Sequence, residues 1–355
     1  MFELKNRNSA IDSLRGLAIF VMVAANMAAY NYEEPHSFLF RLYGSFAAPC
    51  FIFLSGILVP YTISEHKRTF FYYIQRGFLI LFVAVSLDIF LWGLIPFSTF
   101  DVLYIIGISL PLNYFISRTN RKLHMILAVG IILVTPLVQK FSGYSREIEE
   151  ISLIDPNNFK NWFHLITLKN FYVQGWFPVF PWLGISLLGS FMGRLRTSAE
   201  SFITKSILLK SGWPIFIIGI MSWLIINPTL FTREGYSELF YPPRLEYIFT
   251  YIGLIFILLA LLAGKASSQS YSIDKNICLV ALQLLGQTSL LMYILHTVFI
   301  VLFYKTYFLA LDFFPGFLLL YFSHILVLLI IALLVKKLKE RYKYFPFPIK
   351  FLLGS

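Results

Sequence analysis

The sequence indicates an all-α integral membrane protein, with about ten transmembrane helices in one bundle. Of its 355 residues, 58% are hydrophobic and only 13% are charged. A soluble domain of this length would carry roughly twice that share of charge. Long apolar segments recur from end to end of the chain, and the lysines and arginines are collected between them. Together these observations exclude a soluble globular protein.

The apolar segments follow one another with mostly short connections between them. A helix needs roughly 20 mostly apolar residues to cross a bilayer, and somewhat fewer where the membrane thins. By this criterion we predict ten helices, of which the fourth and fifth are short. They cover approximately residues 12–31, 38–62, 71–95, 101–117, 123–139, 178–194, 212–228, 246–264, 279–304 and 315–335. No soluble domain interrupts them, so residues 1–355 are interpreted as a single transmembrane domain.

The distribution of lysine and arginine predicts which helix ends face the cytoplasm, because cytoplasmic loops are enriched in these residues. With a cytoplasmic N-terminus, 21 of the 29 basic residues fall on the cytoplasmic side. Ten helices then return the C-terminus to the cytoplasm as well. This topology explains the net charge of +11 without a nucleic-acid partner. We expect a multi-pass protein of the cell (cytoplasmic) membrane, surrounded by lipid.

The two cysteines, Cys50 and Cys278, both lie in apolar segments. Two thiols are too few for a disulfide framework, and their spacing does not fit a zinc site. We therefore interpret them as small buried hydrophobic side chains and expect no bound metal.

Two connections on the predicted outer side are rich in charged and aromatic residues. The longer one, residues 140–177, is interpreted as an insertion between helices, and the other is TREGYSELFYPPRLE, residues 232–246. Long loops are usually functional or disordered. Such surfaces suit a sugar or another polar acceptor, but an interfacial aromatic belt has the same composition. Both interpretations stay open.

Polar residues inside the first apolar hairpin are the main functional signal. Eleven residues of helix advance about 20° past three full turns, so Arg15 and Asn26 share one face, about 16 Å apart. Asp12 lies one turn before Arg15 on nearly the same face. Polar groups in lipid are costly and are usually retained for a function. The alternative is an interfacial Asp12–Arg15 pair and an Asn26 that hydrogen bonds to a neighbouring helix.

His36 follows this polar stripe at the outer end of the hairpin, after the turn NYEEPH. A histidine at that boundary is often only an interfacial residue. Its position at the end of a stripe that starts at basic residues favours catalysis instead.

The residues of this hairpin resemble a known family. The segment AIDSLRGLAIFVMVAANM, with Asn26 eleven residues after Arg15, is similar to the first helix of heparan-alpha-glucosaminide N-acetyltransferase and its bacterial relatives. PCFIFLSG, residues 49–56, is similar to their P-x-F-x-F-x-x-G, and His36 falls where they place an active-site histidine. Later blocks, YIQRGFLILF, FDVLYIIGISLPL, PWLGISLLGSFMGRL and GQTSLLMYILHTVFI, also resemble theirs. The chain differs in having FLF soon after His36, where Trp-x-Gly is common, and Ser45 where Asp is common.

The resemblance implies acyl transfer across a membrane, with acetyl-CoA as co-substrate on the cytoplasmic side and a saccharide, amine or alcohol acceptor outside. It makes His36 and Asn26 candidate catalytic residues. Coenzyme A is anionic, so it requires basic groups at a cytoplasmic mouth. Residues of suitable charge and position are Arg15, Arg68, Arg76, Arg121 and Lys122. The alternative for each is a role in topology alone.

Two further polar residues lie inside predicted helices. Asp88 is an intramembrane carboxylate in the third and a candidate catalytic residue, for which we expect a histidine or arginine partner from another helix; the alternative is a purely structural pair. His296, in the block LLMYILHT, is a candidate catalytic residue that could line the cavity; the alternative is a hydrogen bond between helices. For Gly16, Gly44 and Gly56, close helix packing competes with leaving room for the arm of coenzyme A.

The competing class is a transporter or permease, because polar residues that line a helical bundle also describe a substrate path. Transporters of this type usually have matched broken helices in two repeated halves, and the sequence has no such symmetry. The sequence leaves a homodimer open.

Overall fold

The computed structural model describes residues 8–33, 35–144, 150–154, 165–197, 204–225, 239–266, 276–307, 311, 313–342 and 345–354. Apart from two isolated β-bridges, their regular structure is helical. Residues 145–149 and 155–164 of the predicted insertion, and residues 232–238 of the second outer loop, lie outside the described residues.

The fold is a succession of helices with three short π-helical extensions. The helices are α1 Ser9–Asn31, α2 Phe38–Gly44, α3 Ala47–His66, α4 Phe70–Leu87, α5 Val102–Ile116, α6 Arg121–Phe141, α7 Leu165–Lys169, α8 Val179–Thr197, α9 Lys205–Ile225, α10 Leu245–Ala266, α11 Ile277–Gln287, α12 Ser289–Phe299, α13 Lys305–Tyr307, α14 Phe314–Arg341 and α15 Phe347–Leu352. The π-helical turns Asp88–Trp92, Asn170–Gln174 and Ile300–Tyr304 extend α4, α7 and α12.

Asparagine and aspartate side chains fix several helix starts. The Asn8 side chain accepts from the backbone N–H of Ala10 at 3.1 Å, and Asp101 accepts from that of Val102 at 2.6 Å. Asn120 and Asn276 begin α6 and α11 in the same way. Each cap satisfies an N–H that has no partner within the helix.

The helices confirm a multi-pass helical membrane protein. Among the described residues, seven spans are long and apolar enough to cross a membrane, or up to nine if each of two bent helix pairs is one span. The other predicted segment, 101–117, corresponds to α5, which has only 15 residues. Every predicted apolar segment thus coincides with a helix or a bent pair, and the number of crossings stays a prediction.

The first hairpin forms the centre of the bundle. In the most apolar windows of α1 and of the α2–α3 span, 78% of the residues are buried, against 22% or 28% in α4, α6, α9 and α14. The latter helices expose large apolar side chains, such as Phe78 on α4 and Leu326 on α14. Outward apolar faces are expected in lipid, so the polar stripe of α1 lies in the protein interior.

Glycines allow close backbone contact at two helix crossings. A Cβ atom at Gly16 on α1 would overlap the carbonyl of Leu282 on α11, and one at Gly56 on α3 would overlap the carbonyl of Ser186 on α8. Small residues at such crossings let the backbones of membrane helices approach. The contacts therefore favour helix packing as the role of these two glycines.

Two predicted helices are not straight. The segment 279–304 is broken between α11 and α12, which meet at 85°, because Thr288 leaves the helical conformation. The segment 178–194 is preceded by α7 and its π-helical turn, bent by 49° from α8.

Cys50 is buried as expected, but Cys278 is exposed, in the first turn of α11.

Candidate active site

A cavity of about 890 Å³ opens at the end of the bundle where α1 begins, α3 ends and α4 begins. Its walls also include the first turns of α5, the α11–α12 break, the end of α14 and the chain beyond it. Apolar contributors include Ile11, Phe51 and Leu103, while Gln287 and Ser289 come from the break. Non-helical backbone in a membrane protein is tolerated where it lines a cavity, which accounts for the break at this place.

Three of the five predicted coenzyme-binding residues meet in this cavity. Arg15, Arg68 and Arg76 all contribute to its lining. Arg121 and Lys122, in the first turn of α6, are not among the described residues that line it. The ends of α1, α3 and α4 therefore form a shared basic surface, as the predicted topology requires, and the start of α6 does not join it.

Aromatic rings hold the two arginines near the start of α4. The Arg76 guanidinium donates a hydrogen bond to the Tyr72 hydroxyl at 2.8 Å and lies 5.3 Å from the centre of the Phe351 ring. Arg68 lies 4.7 Å from the centre of the Tyr72 ring. Such cation–π contacts limit the freedom of long side chains. The basic surface is thus partly ordered by the protein itself.

Three lysines from the C-terminal part of the chain also line the cavity, namely Lys336, Lys339 and Lys350. From the sequence they are predicted only as cytoplasmic charges that set the topology. The signal was present in their number, but nothing in the sequence indicated that α15 folds back beneath the bundle.

A tyrosine–carboxylate pair lies where the cavity meets the interior. Tyr293 of α12 lines the cavity and donates its hydroxyl to Asp101 at 2.6 Å. Asp101 also caps α5, so this hydrogen bond ties α5 to α12. Neither residue was predicted from the sequence. An aspartate directly before an apolar helix was the available signal for the cap, but its tyrosine partner is 192 residues away in sequence.

His296 and Asn26, both predicted site residues, are brought together one turn beyond Tyr293. The Asn26 Nδ2 lies 2.9 Å from the His296 Nε2, and the His296 Nδ1 lies 3.2 Å from the Met292 carbonyl. Because a carbonyl can only accept, Nδ1 carries the proton and Nε2 accepts from the asparagine amide. The imidazole is fully buried, and its centre lies 5.2 Å from that of the Tyr293 ring.

His36 lies in the connection between α1 and α2, packed among aromatic rings. Its imidazole stacks on the Tyr32 ring at a centroid distance of 5.4 Å and an angle of 15°, and it is 8% exposed. The connection is held by Leu311, whose N–H donates to the Asn31 carbonyl and whose carbonyl accepts from Glu33. Neither His36, Asn26 nor His296 is among the described residues lining the cavity.

Asp88 lies apart from the cavity and has a different partner from the one expected. It begins the π-helical turn after α4 and accepts a 2.5 Å hydrogen bond from the hydroxyl of Tyr104, not from a histidine or arginine. Tyr104 lies one turn after Asp101 on α5. The Tyr104 hydroxyl supplies the hydrogen bond that a buried carboxylate requires, and it does so without placing a second charge in the interior.

Ser45, at the position where the resembling family commonly has Asp, connects distant segments. Its hydroxyl donates to the Arg41 carbonyl and accepts from the Leu239 N–H, both at 2.7 Å. Its carbonyl accepts from the Tyr247 hydroxyl at 3.0 Å. The serine therefore anchors the segment before α10 against the hairpin that carries His36.

The fold and this site define a multi-pass membrane protein with a basic cavity at one end and a histidine–asparagine pair in the interior. The family model for heparan-alpha-glucosaminide N-acetyltransferase, catalytic, matches residues 7–225. The chain belongs to this family, and a membrane acetyltransferase-like function follows from that membership. No curated protein matches the chain. The match covers α1 to α9 and therefore Arg15, Asn26 and His36.

Proposed function

We propose that the protein transfers an acetyl, or another short acyl, group from cytoplasmic acyl-CoA to an amine or hydroxyl of an extracytoplasmic saccharide. The observation that carries this proposal is the basic cavity, which begins at Arg15, Arg68 and Arg76 and has Tyr293 in its wall, beside His296. Its volume of about 890 Å³ lies within the range of cofactor-sized sites.

The residues of the cavity fit an anionic nucleotide. Arginine binds phosphate through charge-assisted hydrogen bonds, and three arginines share this surface. The α12 helix begins at Ser289 in the cavity wall, and the N-terminus of a helix carries a partial positive charge. When bound, acetyl-CoA supplies the acetyl group as a reactive thioester.

His36 is proposed as the general base. Transfer to an amine or hydroxyl forms a bond to the acyl carbon, breaks the carbon–sulfur bond and releases a proton from the acceptor. An imidazole can remove that proton because its pKa ordinarily lies near neutral pH. His36 lies in the connection between α1 and α2, which the predicted topology places on the outer side, where the acceptor is expected.

Asn26 is proposed as the donor to the acyl oxygen, positioned by His296. Its amide nitrogen carries two hydrogens, and the hydrogen bond to His296 uses one of them. The other is then directed by that bond and can stabilise negative charge on the oxygen in the transition state. Asp88 and Tyr104 are proposed to have a structural role, joining the end of α4 to α5 at a distance from the reacting atoms.

A transport function is the second candidate, favoured by the two bent helix pairs, since discontinuous helices form the binding sites of many transporters. One assay separates the candidates. Purified protein is incubated with acetyl-CoA and a panel of amino sugars, and the free thiol of coenzyme A and the acetylated sugar are both measured. Acceptor-dependent release of thiol is expected. No release with any sugar, together with uptake of a sugar by proteoliposomes, would establish the transporter instead.

A further inference from the structure

The C-terminal part of the chain supplies half of the basic side chains of the cavity. The lining contains six lysines and arginines against the two carboxylates of Asp12 and Glu340, a net charge of +4 with neutral His66. Three of the six cations, Lys336, Lys339 and Lys350, come from residues beyond the family match at 7–225. Half of the cations that line the cavity therefore lie in a part of the chain that the family match does not include.

The chain after α14 is packed firmly enough to hold these charges in place. Phe351 is 5% exposed and packs under the Arg76 guanidinium. The Lys339 ammonium donates to the Leu353 carbonyl at 2.5 Å. Gly354 lies directly against the Gln287 carbonyl at the α11–α12 break, where a Cβ atom would not fit. The segment 345–354 is thus a wall of the cavity.

Lys336 and Lys337 are neighbours of equal charge, but they differ in their position relative to the cavity. Both are exposed lysines on the last turns of α14, and only Lys336 lines the cavity. If basic residues here served only to attract anionic lipid, neighbouring lysines would be equivalent. Substitution of Lys336 is therefore expected to weaken binding of an anion in the cavity, whereas substitution of Lys337 is not.

We infer that Lys336 and Lys350 bind the phosphates of coenzyme A, with Lys339 bracing the segment that carries Lys350. This inference rests on the proposed function and assigns part of the donor site to the C-terminal segment. Coenzyme A carries a pyrophosphate and a phosphomonoester, about four negative charges in all, since a phosphomonoester contributes nearly two near pH 7. The net charge of the lining is equal and opposite.

The test compares Lys336→Gln, Lys350→Gln and the double variant with the matched control Lys337→Gln. Dissociation constants for coenzyme A are measured by calorimetry on the full-length protein in neutral detergent, at low and high salt. Each cavity variant is expected to weaken binding about two- to fivefold, and the double variant about tenfold, at low salt. The control is expected to bind like the wild type.

The outcomes distinguish this inference from the proposed function. If the wild type does not bind coenzyme A, the proposed function fails first. If the wild type binds and Lys336→Gln equals Lys337→Gln, only the role of the lysines is overturned. A further arm adds phosphatidylglycerol to neutral nanodiscs. If the lysines bind lipid headgroups instead, the cavity variants would change the effect of this lipid on the melting temperature and would keep the wild-type affinity for coenzyme A. That result would also overturn the inference.

Discussion

The amide nitrogen of Asn26 lies 2.9 Å from the Nε2 of His296, which follows it by 270 residues. This hydrogen bond joins α1 to α12 and fixes the orientation of the asparagine amide. It also uses the lone pair of the imidazole, so His296 in this state is an acceptor for Asn26 and not a base for a substrate. This hydrogen bond therefore leaves proton removal to His36 in the proposed chemistry. It assigns the stabilisation of charge to Asn26.

The division of roles predicts different effects for these residues. His36→Ala is expected to abolish acetyl transfer with little change in coenzyme A affinity. Asn26→Ala is expected to lower kcat about 10²–10³-fold, the usual cost of losing one oxyanion donor. Steady-state kinetics and calorimetry measure both. Wild-type turnover in His36→Ala would remove His36 from the mechanism.

The positioning role of His296 has its own test. His296→Gln keeps an oxygen that can accept from Asn26, whereas His296→Ala removes the acceptor. We expect kcat to fall in the alanine variant and to recover partly in the glutamine variant, with the KM for acetyl-CoA unchanged in both. Equal loss in both variants would contradict a role through Asn26.

Two tyrosines make the same type of bond in different places. Tyr293→Phe and Tyr104→Phe each remove a hydroxyl from a carboxylate, Asp101 or Asp88. Both are expected to lower stability by a few tenths to about 2 kcal/mol. Only Tyr293 lines the cavity, so only its variant is expected to slow transfer, by roughly tenfold. Melting curves and initial rates check this, and equal rates in the two variants would separate Tyr293 from the site.

Arginines inside and outside the cavity are expected to differ in donor binding. Arg15→Ala and Arg76→Ala should reduce the thermal stabilisation that coenzyme A provides, and this stabilisation should weaken with salt, because charges near water are screened. Arg121→Ala, at the start of α6, serves as the control and should behave like the wild type. A loss in Arg121→Ala as large as in Arg15→Ala would return Arg121 and Lys122 to the donor site.

The close contact between α1 and α11 at Gly16 is expected to stabilise the protein. Gly16→Ala places a methyl group against the Leu282 carbonyl, so the helices must separate and the melting temperature should fall. Gly130→Ala on α6 is the control, because no atom lies within 4 Å of its added Cβ. Alanine is the better helix former, so this control should be neutral or slightly stabilising. Equal melting temperatures would show that the crossing can relax.

The apolar pattern allowed much of the fold to be predicted, while the site was predictable only where helix ends must meet. Arg15, Arg68 and Arg76 lie at the ends of successive helices, and the alternation of spans brings such ends together. No such rule joins Asp101 to Tyr293, or Asn26 to His296, because those contacts depend on how distant helices cross. The break at Thr288 had a signal in the sequence, the polar run GQTS at residues 286–289, but the apolar residues on both sides together have the length of one span and therefore predicted a continuous helix.

The position of Gly354 has a consequence for biosynthesis. It packs on the carbonyl of Gln287 at the α11–α12 break, and the cavity wall includes Lys350 and Phe351 just before it. A chain is made from its N-terminus at about 5–20 residues per second, and its segments fold in that order. The arginines near the start of the chain are therefore in place long before the last wall of the cavity exists. A chain that ends between His296 and Lys336 would have the proposed catalytic residues but only three of the six lysines and arginines that line the donor cavity.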